Sequence, residues 1–226
     1  MTLIYNVQIQ NCFRKVEEGK MRELNLRVPD LEEAKLILNE GSKLNPGPWR
    51  EHSIYVGKAA ELIAKEDKEL DGNIALALGM LHDIGRRYGV TSMRHSIDGY
   101  KFAIEKGYNL LARICITHSF PFKNIDAVFG KWDCSEEEYQ FVKDYLDNID
   151  LTAYDKLIQL CDALALPTGY CLMEKRMLDV AMRHGVNEYT IEKWKATFEI
   201  QKYFEERIGK SIYSILPNVV ENTFCF

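Results

Sequence analysis

None of the six cysteines forms a C-x-x-C pair, the spacing expected of a zinc or redox site. Cys12, Cys115, Cys134, Cys161, Cys171 and Cys225 stand singly, several within apolar stretches. They read as the reduced, buried thiols of a cytosolic protein. No apolar run approaches the roughly 20 residues of a membrane-spanning helix. The opening MTLIYNVQIQN has no basic segment ahead of a long apolar stretch, as a secretory leader would. The expectation is a cytoplasmic protein with no membrane partner. Positive charge is not in excess: 29 Lys and Arg stand against 34 Asp and Glu, for a net charge of −5. That excludes a broad basic footprint and argues against nucleic acid as a partner. There is no internal repeat and no low-complexity tract.

What is present is ordinary globular composition, 46% hydrophobic and 28% charged over 226 residues. A chain of this length suits one large domain or two small ones, at roughly 150 residues per domain. It can bury roughly 70% of its unfolded surface, so its core needs neither disulfides nor structural zinc.

Residues 3–9 alternate weakly and suggest a short extended arm, followed by a charged connector to residue 29. From Asp30 onward the pattern is helical. Asp30 and Glu33 have capping-box spacing ahead of LEEAKLILNEGSKL. NPGP is a turn before WREHSIYVGKAAELIAKE. Asp71 and Gly72 open NIALALGMLHDIGRRYG, which is apolar nearly all round and therefore central. Thr91 or Ser92 is the expected cap of the next helix, and NLLARICITH follows it. SFPFKNIDAVFGKWDC reads as a loop, whose aromatics anchor it to the core or stack a base. Ser135 caps an acidic helix start. Further helices are expected over about 151–166, 167–184 and 189–208. The fold class is all-α, with an arm and connector at 1–29, one helical domain at 30–216 and a tail at 217–226.

Five histidines, His52, His82, His95, His118 and His184, are few enough for their positions to carry information. An isolated buried histidine is most often a hydrogen-bonded core residue. The adjacent pair His82-Asp83 on a greasy helix is harder to dismiss, because a carboxylate there is costly unless paired or bound to a cation. Asp162, within LIQLCDALALP, is in the same predicament. A cation held between helices accounts for both. Imidazole with carboxylate suits divalent Mn, Fe, Co, Ni or Zn, whereas calcium and magnesium prefer oxygen alone. His184 precedes Gly185 at a helix end and is assigned to structure only.

The order His52, then His82-Asp83 thirty residues on, then Asp162, in REHSIYVGKAAELIA, ALGMLHDIGRRYG and LIQLCDALA, resembles the HD superfamily of metal-dependent phosphohydrolases over about residues 31–185. The resemblance implies a single-domain helical bundle in which His52, His82, Asp83 and Asp162 hold one metal. In binuclear members, Asp83 would bridge to a second ion bound by His95 and His118. The implied cofactor is thus two divalent transition metal ions, and the implied partner a small phosphorylated substrate, nucleotides included; a homodimer is compatible with this. The implied chemistry is hydrolysis of a phosphomonoester or phosphodiester by a metal-activated hydroxide. Asp83 and Arg86 are the expected catalytic residues. Arg86, Arg87 and Arg94 are candidates for substrate contact, since a guanidinium fork matches phosphate. Arg86 is the strongest of them, three residues past Asp83 and so on its face, although many family members carry lysine there. Two other readings share the ligand set: a di-iron oxygenase, and a non-catalytic signalling or binding module.

Overall fold

The computed structural model describes residues 27–224. The arm expected at residues 3–9, together with Cys12 and Cys225, lies outside them. The regular elements of the described residues are helices apart from one two-stranded hairpin, as the all-α reading requires. No helix among them is long and apolar enough to cross a membrane.

Helix α1 (Leu31–Leu44) begins where the Asp30 carboxylate accepts the Glu33 backbone N–H at 2.8 Å. The proline-rich turn leads into α2 (Trp49–Glu66), and the Trp49 indole closes it by donating to the Asn45 carbonyl at 2.8 Å. Asp71 caps α3 (Gly72–Leu81), accepting from the N–H groups of Asn73 and Ile74. α2 and α3 meet at Gly57 and Gly79. A Cβ on Gly79 would stand 2.6 Å from the Gly57 Cα, and one on Gly57 2.8 Å from the Leu76 carbonyl oxygen. Only glycines permit backbones this close. The consequence is functional: His52, five residues before Gly57, and His82, three after Gly79, are brought side by side.

The helix expected to run through HDIGRRYG instead stops at Leu81 and continues as a 3₁₀ segment, Ile84–Tyr88. The break lies at His82-Asp83. α4 (Arg94–Lys106) starts without a side-chain cap from Thr91 or Ser92. The Asp133 carboxylate does that work from the following loop, accepting from the N–H groups of Ser92 and Arg94, both at 2.7 Å. A cap from so distant a residue has no local sequence signal. α4 ends at Gly107, in the left-handed region with φ +77°, and α5 (Asn109–Thr117) returns toward the centre. Gly99 lets α4 approach Cys115 of α5, where a Cβ would stand 2.9 Å from the sulfur.

The loop after His118 packs down through Phe120, fully buried and stacked on Trp132 with ring planes 8° apart. These aromatics join Met93, Ile97, Val142 and Leu146 in a second core beneath the loop. α6 (Glu136–Asp147) and α7 (Ala153–Asp162) both open with complete capping boxes, Ser135 with Glu138 and Thr152 with Asp155.

Residues 163–172, expected to be helical, are not. α7 ends at Asp162, and β1 (Ala165–Leu166) pairs antiparallel with β2 (Gly169–Tyr170) in the register Ala165 to Tyr170 and Leu166 to Gly169. The reason is the P-T-G turn: Gly169 has φ +147°, a conformation closed to other residues in a helix or a tight hairpin. α8 (Met173–His184) and α9 (Thr190–Ile208) then fold across the end of the bundle that carries the histidines. Past a 3₁₀ turn (Ile212–Ser214), the C-terminal segment contains a short helix, α10 (Val219–Phe224), whose Val219 joins the main core.

Candidate metal centre

His52, His82, Asp83, His95, His118 and Asp162 come from α2, the α3 break, α4, α5 and α7, and they converge on one point. Two groups can be drawn within ligand distance: His52, His82 and Asp162, and Asp83, His95 and His118. The His52 Nε2 is 2.9 Å from the Asp162 Oδ1. Asp83 lies between the groups. Its Oδ1 is 3.1 Å from the His95 Nε2 and 3.6 Å from the His118 Nε2, and its Oδ2 is 3.8 Å from the His82 Nε2. The expected four-residue set thus divides, with Asp83 grouped beside His95 and His118 yet facing His82. The rings touch in series, His52 to His82 to His118 to His95, with centroids 5.1–5.4 Å apart.

The tautomers follow from the backbone. The Nδ1 of His82 is 2.8 Å from the Gly79 carbonyl, that of His118 is 3.0 Å from the Cys115 carbonyl, and that of His95 meets the Ser92 carbonyl. A carbonyl only accepts, so each Nδ1 carries the proton and each Nε2 presents a lone pair inward. This is how metal-ligating histidines are oriented.

The inward atoms then face one another with nothing to share. The Nε2 atoms of His95 and His118 are 3.3 Å apart. The Nε2 of His82 and the Oδ1 of Asp83 are buried without a hydrogen-bond partner among the described residues. Converging acceptors need a cation. Protons on His82 and His118 are disfavoured: burial is the main force lowering the His82 pKa, and it pushes His118 down to about 3. Burial opposes ionisation of Asp83, but Arg86, His82 and His95 outweigh it and hold the carboxyl well below its usual range. For Asp162, too, burial is overcome, chiefly by His52, and its pKa is lowered. Imidazole nitrogens beside carboxylate oxygens are the donor set of a divalent transition metal site.

The centre forms the floor of a cavity of about 810 Å³. Arg86 stands at its edge, with its Nε donating to the Asp83 Oδ2 at 2.6 Å and its terminal nitrogens making no hydrogen bond to the described residues. The other two candidate arginines point elsewhere. Arg87 lies 4.4 Å over the Phe102 ring, behind the 3₁₀ segment. Arg94 pairs with Asp98 and with Glu138 of α6. Neither lines the cavity. Of the loop aromatics, Phe129 does.

Sequence reasoning missed the wall that α8 and α9 supply. Arg176, Arg183 and His184 reach the cavity from α8, and Lys193 and Trp194 from α9. Their spacing along α8 is helical, but nothing local says which face turns inward. His184, read as structural only, is a cavity residue. Its pKa is lowered, by burial first and then by Arg183, Arg86 and Arg176. Lys193 donates to the Ser119 and Ala127 carbonyls at 2.8 and 3.0 Å, fastening the loop, and burial lowers its pKa to about 8.

Comparison with curated proteins and with solved structures gives no match. Against protein families, the model of the HD domain matches residues 49–166, just over half of the chain. That family is mostly metal-dependent hydrolases, and it implies a divalent metal at the cluster described above. With the match running from Trp49 to Leu166 and taking in the His82–Asp83 pair, this chain is a member of the HD-domain family.

Proposed function

We propose that the chain is a phosphohydrolase acting on a small phosphate ester, with two divalent transition metal ions as cofactors. The observation that carries this reading is the double cluster joined at Asp83, whose two oxygens face different histidine groups. A carboxylate so placed can serve both groups at once. When bound, divalent ions supply positive charge to phosphoryl oxygens and acidify a water nucleophile.

The chain's own contribution is positioning. Backbone carbonyls fix the histidine rings, and burial keeps their Nε2 atoms unprotonated. Arg86 uses its Nε to hold Asp83 and keeps its two terminal nitrogens for a phosphate oxygen. The reaction adds water across the P–O ester bond: oxygen joins phosphorus, the ester bond breaks, and the alcohol leaves with a proton. A cavity of about 810 Å³ holds a nucleotide-sized molecule.

The test is to strip the protein with chelator and reload it separately with Fe(II), Mn, Co, Ni or Zn. Phosphate release is then assayed over a panel of mono- and diesters. Metal-dependent turnover that vanishes in Asp83→Ala supports the reading. A loaded protein inert toward the whole panel overturns it. A mixed-valent iron signal in anaerobically prepared protein would point to oxygen chemistry instead.

A further inference from the structure

We infer that Arg176 is a second phosphate-binding arginine, and that together with Arg86 it selects a dianionic phosphomonoester over a diester. This rests on the phosphohydrolase reading and extends it to a substrate class.

Arg176 lies beyond the residues matched by the family, on α8. One terminal nitrogen, Nη2, is 4.0 Å from the Asp162 Oδ1, too far for a hydrogen bond but at the rim of the His52–His82–Asp162 group. Nη1 is steadied at 3.4 Å by Asp179, one turn along the same helix. Nε is buried and has no partner among the described residues. The side chain is only 16% exposed and lines the cavity. A guanidinium carries five N–H donors in a rigid fork. Here one makes a long bond, and the fork is otherwise held at the cavity wall without an acceptor. Nη2, at the cavity wall without a hydrogen-bond acceptor among the described residues, is the donor that a ligand oxygen can reach.

The placement is symmetrical with Arg86. Arg86 serves the Asp83 half of the centre, and Arg176 flanks the Asp162 half. Arg86 and Arg176 offset Asp83 and Asp162, Arg183 pairs with Asp179 at 2.9 Å, and Lys193 adds one positive charge to the wall. The charge of any bound divalent ions is therefore left to the substrate. A monoester is close to a dianion near neutrality and offers three terminal oxygens. A diester is a monoanion with two. Guanidinia on both sides of the centre have an oxygen each to bind only if the third remains for the centre itself.

The experiment compares wild type, Arg176→Met and Arg176→Lys, each loaded with the metal that gives the best occupancy. Binding of inorganic phosphate is measured by calorimetry. Turnover is measured on phenyl phosphate and on methyl phenyl phosphate, a matched monoester and diester. Arg176→Met is expected to weaken phosphate binding about tenfold or more, with unchanged metal content. It is expected to lower kcat/KM for the monoester about 100-fold and for the diester only severalfold. Arg176→Lys recovers part of the binding. Equal phosphate affinity in wild type and Arg176→Met, or equal loss on both esters, overturns the inference. If wild type hydrolyses neither these two esters nor any other of the panel, the functional proposal fails by itself. Phosphate calorimetry still decides the Arg176 site, since unequal binding upholds it and equal or absent binding removes it.

Discussion

A Cβ built on Gly85 would lie 1.8 Å from the carbonyl oxygen of His95 and 2.5 Å from the Gly99 nitrogen. The 3₁₀ segment and α4 are therefore in backbone contact directly beside Asp83 and His95, whose side chains meet at 3.1 Å. Gly85→Ala is expected to push the two segments apart. The cost should be about 3 kcal/mol, at the upper end for overpacking because backbone rather than a side chain must move. Metal content should fall with it. Urea unfolding and metal analysis of the purified variant check this. A variant of wild-type stability that still binds metal would show the contact to be unimportant.

The two ligand groups are separable by mutation. His118→Ala removes a ligand from the Asp83–His95–His118 group and leaves His52, His82 and Asp162 intact. Metal content is expected to fall from two ions per chain to one, and phosphatase activity by about 10²–10³-fold, the scale for losing one electrostatic stabiliser. Stoichiometry by mass spectrometry of the metal content gives the answer. Loss of both ions together would mean that the groups act as one site.

Asp67 and Arg207 provide the pH dependence least entangled with the centre. The Arg207 Nε and Nη2 donate to the two Asp67 carboxylate oxygens at 2.6 and 2.7 Å, tying α9 to the end of α2. Those hydrogen bonds lower the Asp67 pKa against the opposing effect of burial. Because the folded pKa is depressed, the unfolded chain binds more protons as acid is added. The contribution is complete above the unfolded value of about 3.9 and is lost as pH falls through the folded value. At about pH 6, Arg207→Met is expected to cost roughly 2 kcal/mol, typical of hydrogen bonds to a charged group. The gap from wild type should close below about pH 4. A gap that persists into acid would assign the loss to packing.

Asp155 is fully buried, with Arg113 across its carboxylate and the Thr117 hydroxyl donating to its Oδ1 at 2.7 Å. Arg113→Met would strand that carboxylate. A loss of about 3–5 kcal/mol is expected, as for a buried pair broken from one side. Adding Asp155→Asn to it should return part of the loss, because an amide carries no charge to desolvate. Thermal and urea melts of the single and double variants test both statements.

The six candidate ligands were legible in the chain because their chemistry is conspicuous against its surroundings. His82-Asp83 and Asp162 stand in stretches of leucine, alanine and isoleucine, where only pairing or a cation excuses them. Their order along helices also carried the family resemblance. The arginines were less legible. Arg86, Arg87 and Arg94 look alike in sequence, but the change from α-helix to 3₁₀ at Asp83 turns Arg87 onto Phe102, and α6 captures Arg94. Arg176 lies in an unremarkable amphipathic helix, and only the packing of α8 across the cavity places it in the wall.

The sequence by itself determined most of the helices, the caps at Asp30, Asp71 and Ser135, and the unusual polar residues of the apolar stretches, since these follow from local periodicity, turn chemistry and desolvation cost. The tertiary structure alone decided which of them meet. Gly57 with Gly79, Gly85 with Gly99, and Gly99 with Cys115 are close contacts between segments apart in the chain, and they bring the segments that carry the histidines together. The physical reason is that a glycine's missing side chain has no local signature until a second backbone occupies the space it leaves.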